Sequence, residues 1–147
     1  MNIRAYQKRD QEPLARLWLD SWRSTGLAEA AGGDWQTLHD RIPVEIAAGW
    51  TVHVAEEDGT LLGFSAANAA DNCLDQLFVA PDAQGRGIGK ALLDDAKAGG
   101  PEGLWLRTPV ANFGACLFYE REGFAAGEIV PHPKYGIPFV IYRWGFS

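Results

Sequence analysis

Leu77-Phe78-Val79-Ala80-Pro81, followed by Gln84-Gly85-Arg86-Gly87-Ile88-Gly89-Lys90, is the stretch on which the reading turns. A β-rich run closes at a proline. A glycine-punctuated loop then leads into Ile88, Leu92, Leu93 and Ala96 at helical spacing. Such a loop at a helix entrance suits an anion, because phosphate binding needs converging amides, little side-chain bulk and a helix N-terminus. Gly85, Gly87 and Gly89 allow close approach to the main chain, and Arg86 and Lys90 add charge. The competing reading is an ordinary turn, since glycine is the default turn residue. Two nucleotide motifs do not fit. A Walker loop would need glycine at 84 and Ser or Thr at 91, where Gln84 and Ala91 stand. A dinucleotide fingerprint needs two residues between its second and third glycines, and only Ile88 separates Gly87 from Gly89.

Working outward, residues 2–6 read as a short strand. Asp10 and Pro13 predict a helix entry with an acidic cap, and Leu14, Leu17, Trp18 and Trp22 form one amphipathic stripe behind it. Residues 26–33 read as a loop. Asp34 opens a second helix, interrupted or kinked near Pro43 and ending by Gly49. Strands follow at 50–55, 61–67 and 73–79, joined by turns at Asp58-Gly59 and Asp71-Asn72. Gly99-Gly100-Pro101 stops the helix after the glycine loop. A strand at 104–107, a helix from about 112 to 123, and strands at 124–130 and 139–144 around the loop 131–138 complete the chain. The order β-α-α-β-β-β-α-β-α-β-β predicts an α/β layer fold with a mixed sheet, in a single domain over 1–147.

Gln84-x-x-Gly87-x-Gly89 after this strand resembles the acetyl-CoA-binding core of the Gcn5-related N-acetyltransferase (GNAT) superfamily. A second block, Asn112-x-x-Ala115-x-x-Phe118-Tyr119-Glu120-x-x-Gly123-Phe124, is similar to that family's last helix and the turn after it. Together they cover residues 73–124 in the right order. The resemblance implies a mixed, mostly antiparallel sheet with splayed middle strands, flanked by helices. It implies acetyl-CoA as co-substrate and direct attack by a primary amine in a ternary complex. On that basis the main chain around Leu77, Phe78 and Val79 pairs with the pantetheine arm, while their side chains pack. Amides of Gln84, Gly85, Arg86, Gly87, Ile88, Gly89 and Lys90 hold the pyrophosphate, and Asn112 and Tyr119 complete the cofactor set.

Tyr119 is the residue expected to carry chemistry, because a phenol at the thioester sulfur protonates the leaving thiolate. The competing reading is an aromatic packed in the core. An amide near Val79 is expected to stabilise the oxyanion. The acceptor ammonium has a pKa near 10.4, so a base is needed at neutral pH. Some family members place a glutamate where this chain has Cys73, so it departs from that pattern. Asp75, two residues on and on the same strand face, is the candidate base, with Glu57 and a water chain as alternatives. Cys116 has the chemistry for a covalent route, but a buried structural thiol is the commoner case. Trp18, Trp22 and Trp35 fall where this family shapes its acceptor pocket; they read either as core or as an aromatic wall favouring a small cationic amine.

Composition narrows the remaining classes. The 147 residues carry 13 basic and 19 acidic side chains, a formal charge of −6, which disfavours a dedicated nucleic-acid binder. No apolar run is long enough for a spanning helix, the first residues lack a signal-peptide pattern, and two cysteines cannot form a disulfide framework. A cytoplasmic location, no membrane partner and no metal are therefore expected. His39, His53 and His132 lack metal-ligand spacing. By analogy with the family, the β-rich C-terminal segment makes a homodimer an expectation. A non-catalytic acyl-CoA sensor and a protein or peptide N-acetyltransferase remain as alternatives.

Overall fold

Among the described residues seven strands form one sheet, in which the strands lie in chain order except that the seventh sits between the fifth and the sixth. The computed structural model describes residues 1–26, 34–100, 102–133 and 136–145; residues 27–33 of the expected loop 26–33, Pro101, residues 134–135 and residues 146–147 lie outside these. The strands are β1 (Asn2–Ala5), β2 (Trp50–Glu57), β3 (Thr60–Asn68), β4 (Cys73–Val79), β5 (Leu104–Pro109), β6 (Ala125–Pro131) and β7 (Pro138–Trp144). The helices are α1 (Gln11–Ser24), α2 (Trp35–Ala47), α3 (Ile88–Gly99) and α4 (Phe113–Arg121). The β2–β3 turn bears out its signal: Asp58 and Gly59 both adopt positive φ, 51° and 79°, as a type I′ hairpin requires.

Two helical layers enclose the sheet. Leu14, Trp18 and Ile42 of α1 and α2 pack with Val54 and Phe64 on one face. On the other, Leu93 and Tyr119 of α3 and α4 pack with Leu106, Phe124 and Tyr142. The apolar stripe of α1 was legible, but its cap was not. Asp10 makes no side-chain cap to α1; its carboxylate takes a two-pronged contact from Arg4, at 2.8 and 2.9 Å, and the Gln7 N–H at 2.7 Å. Arg4 holds that carboxyl below the usual aspartate range. A guanidinium with two acids in reach, Asp10 and Glu56, outcompetes a helix end for the carboxylate. Nor is α2 interrupted at Pro43. A proline cannot donate to the carbonyl four residues back, and here the Gln11 side-chain amide donates to that His39 carbonyl at 3.0 Å.

The feature that matters for function is where the sheet opens. β4 and β5 are parallel neighbours, yet a single pair, Cys73 with Trp105, joins them; all other strand pairs are antiparallel. The Trp105 N–H donates to the Asn72 carbonyl at 3.1 Å, and its indole to the Asp71 carbonyl at 2.9 Å. Beyond that pin the strands part, each keeping its pairing on the other side, β4 with β3 and β5 with β7. Where β4 departs, its register with β3 passes from Gln76 opposite Ala66 to Leu74 opposite Ala67. Asp75 is thus the extra residue of a bulge, a device that bends a strand and re-aims a side chain.

Candidate functional site

A groove of about 850 Å³ runs from the opened edge of β4 to the start of α3. Hydrogen bonding alternates along an antiparallel pair. The Ala80 N–H bonds the Leu62 carbonyl, so Phe78 also faces β3, while the main-chain groups of Leu77 and Val79 face the gap. Side chains alternate as expected: Phe78 packs towards α1, Val79 towards α3. One of the exposed main-chain groups is already taken. The Val79 carbonyl accepts from the Ser21 hydroxyl at 3.0 Å, leaving its N–H and the Leu77 groups to pair with a ligand. Ser21 lines the groove and was not singled out from sequence. Its signal was there: it continues the stripe of Leu14, Leu17 and Trp18, a hydroxyl among buried apolar positions.

At the groove's end, Gly85 and Gly87 have φ of +82° and +81°, and a Cβ at either would meet open space. Their glycines answer to backbone conformation. Gly89 differs: it is helical, and a Cβ there would make only ordinary contacts, 3.6 Å to Val79 and 3.7 Å to Phe118. The amides opening α3 have no side-chain cap, so this end can receive an anion. Lys90 lines the groove, bonded to Asp94 and Glu122, which raise its pKa. Arg86 does not line it. Its guanidinium turns to Glu57 on β2. Asn112 caps α4 through Oδ1, accepting the Ala115 N–H at 3.3 Å, which leaves its NH2 group for a ligand. Gly89→Ala is expected to leave the melting temperature unchanged or slightly raised, while weakening acetyl-CoA binding about tenfold. Thermal melts and calorimetry on the same variant separate these.

A second cavity, of about 450 Å³, opens on the α1–α2 side and shares Leu77, Phe78, Asn112 and Tyr119 with the groove. Tyr119 is 8% exposed and stacked edge-on against Phe118 and Phe124, at 5.2 and 5.7 Å between centroids. Burial pushes its pKa up, so it is held as a phenol. Asp75 lines the second cavity as an acceptor of two bonds, from the Trp50 indole at 2.8 Å and the Cys73 thiol at 3.2 Å. Burial and the Asp75 charge push the Cys73 thiol pKa well up, which suppresses its thiolate. Trp50, read from sequence only as a strand residue, is thus both cavity wall and partner of Asp75.

The other candidates separate clearly. Trp18 and Trp22 line this cavity, with Trp18 also a core residue. Trp35 lines neither cavity and packs beneath Arg16, 4.1 Å from its ring. Glu57 is held below the usual carboxylate range by Arg86 and lines neither cavity. Cys116 lies 3.8 Å from the Pro109 carbonyl, again outside both. His39 pairs with Asp40 and His53 with Asp95. His132 stacks on Phe139 at the cavity rim. Among the described residues, no group of His, Cys, Asp or Glu could hold a metal, and no helix is long and apolar enough to cross a membrane.

A sheet parted between parallel neighbours, with a glycine-turned helix entrance at the end of the gap, defines the acyl-CoA N-acyltransferase fold. The chain belongs to the GNAT acetyltransferase family: the model of the acetyltransferase (GNAT) domain matches residues 48–126. A peptidyl-lysine N-acetyltransferase of Escherichia coli is 31% identical over 142 residues, 97% of this chain and 95% of that protein. The fold recurs in a Streptococcus mutans protein at TM-score 0.81 and 16% identity, covering all of both chains. It recurs too in a Salmonella typhimurium acetyltransferase solved with acetyl-CoA, at TM-score 0.74 and 18% identity, covering 100% of this chain and 94% of that one. The protein is accordingly an N-acetyltransferase of this family, which uses acetyl-CoA.

Proposed function

We propose that the chain moves the acetyl group of acetyl-CoA to a primary amine by direct attack in a ternary complex. The observation that carries this is the junction of the two cavities at Tyr119 and the free edge of β4. A thioester lying along that edge faces an amine entering from the Trp18–Trp22–Trp50 side. The groove fits its co-substrate on three counts: unpaired main-chain groups on β4, open space above Gly85 and Gly87, and free amides opening α3.

In this mechanism the amine lone pair attacks the thioester carbonyl, forming the C–N bond. The Val79 N–H steadies the oxyanion. As the C–S bond breaks, Tyr119 gives its proton to the sulfur, and Asp75 takes the amine's proton through water. Glu45 and Asp75 lie in the acceptor cavity, which suits the ammonium form in which the amine arrives. A small cationic amine satisfies this chemistry. So does a lysine side chain, the reading favoured by the relative named for peptidyl-lysine. Calorimetry with acetyl-CoA, then free CoA release against small amines and lysyl peptides, tests both parts. Binding without turnover on any amine would favour a sensor instead.

Asp75→Asn is expected to lower kcat about 100-fold near neutral pH. Without a base, the rate depends on amine already deprotonated. The variant should therefore gain about tenfold per pH unit towards the amine pKa near 10.4. A pH profile matching the wild type would assign the proton to another acceptor.

A further inference from the structure

The acceptor cavity holds one charged side chain with neither a hydrogen bond nor an ion pair among the described residues. Its lining includes Arg41, Glu45, Asp75 and Arg107, with His132 at the rim. Arg41 covers the Trp18 ring at 5.2 Å and lies 3.8 Å from Glu45. Asp75 accepts from Trp50 and Cys73. Arg107, by contrast, has no ion pair among the described residues; its guanidinium stands 5.9 Å from the Trp105 ring.

An unpaired arginine on a convex surface needs no explanation. Arg107, though exposed, lines this cavity. Cys73 and Trp105 are the one bridged pair between β4 and β5, and Asp75 and Arg107 each stand two residues further along, where the strands part. They therefore line the two strands of the cleft, a carboxylate on one and a guanidinium on the other, and do not pair with each other. Arg107 is close enough for its charge to pull against the raised Cys73 pKa. A planar fork of donors beside an acid is arranged for a ligand carrying both charges.

We infer that the acceptor is a primary amine that also bears a carboxylate, its ammonium towards Asp75 and its carboxylate on Arg107. This rests on the acetyl-transfer reading and narrows its substrate class. The carboxylate belongs either to a free amino acid or to a peptide in which it lies near the reacting amine. Arg107 is a specificity residue here; it touches the acceptor and takes no part in bond making.

The test uses matched pairs that differ only in that group: free amino acids against their amides, and C-terminal lysyl peptides against their amidated forms. The wild-type enzyme is expected to favour the carboxylate member at least about tenfold in kcat/KM. Arg107→Gln should bring that ratio close to one, and the pair with the larger wild-type ratio identifies the source. Trp18, Trp22 and Trp50 line the same cavity, so tryptophan fluorescence reads binding of the same pairs without turnover. Equal wild-type affinity for both members, or a preference that survives in Arg107→Gln, overturns the inference. Absence of acetyl-CoA binding by calorimetry instead overturns the reading beneath it.

Discussion

Tyr119→Phe is expected to lower kcat at least about 100-fold while the Kd for acetyl-CoA stays within about twofold of wild type. Tyr119 is buried to 8% exposure, and its ring contacts with Phe118, Phe124 and Tyr142 remain available to phenylalanine. Only the hydroxyl disappears. It lies where the thioester groove meets the acceptor cavity, so its loss is felt when the thiolate leaves rather than when the co-substrate binds. Burial raises its pKa, so the proton is present throughout the working range, and no loss of activity from phenol ionisation should appear up to about pH 10. Steady-state rates and calorimetry on Tyr119→Phe decide the matter. An unchanged kcat would reduce Tyr119 to a packing residue, and a collapse of acetyl-CoA affinity would make it a binding group.

The residues from β4 to α3 that line the groove were legible because they are local in sequence. One strand, one loop and one helix entrance supply them, and glycines at 85 and 87 sit where positive φ requires them. Asn112 was readable for the same reason, as the polar residue opening a helix. The acceptor half is assembled from distant segments. Asp75 is oriented by Trp50, 25 residues earlier, and Arg107 reaches the same cavity from β5. No spacing rule connects these positions. The bulge at Asp75 is set by how β3 and β4 accommodate each other, which no run of side chains announces. Arg86 shows the converse limit. Its place in the loop suggests a phosphate partner, and no local spacing announces that Glu57 on the neighbouring hairpin also offers its guanidinium a carboxylate.

Gly63→Ala is expected to impair stability and co-substrate binding together, unlike Gly89→Ala. Gly63 lies opposite Val79 in β3, and its φ is not in the region reserved for glycine. The constraint is space. A Cβ there would stand 2.7 Å from the Phe78 carbonyl oxygen and 3.0 Å from Leu92 of α3. Leucine can turn aside, but a strand carbonyl cannot, so β4 must move away from β3. Overpacking of this kind costs about 1–3 kcal/mol. The lower entropy of the unfolded alanine chain offsets roughly 0.4–1 kcal/mol of that. The net loss, up to about 2.6 kcal/mol, corresponds to a melting temperature lower by up to about 10 °C. β4 has its free edge on the groove, so the same shift narrows the gap proposed for the pantetheine arm. Acetyl-CoA affinity should fall in parallel, by about tenfold. Gly63→Ala with unchanged melting and unchanged Kd would mean that β4 is free to slide, and that the opening between β4 and β5 is not set by the packing of β3 and α3.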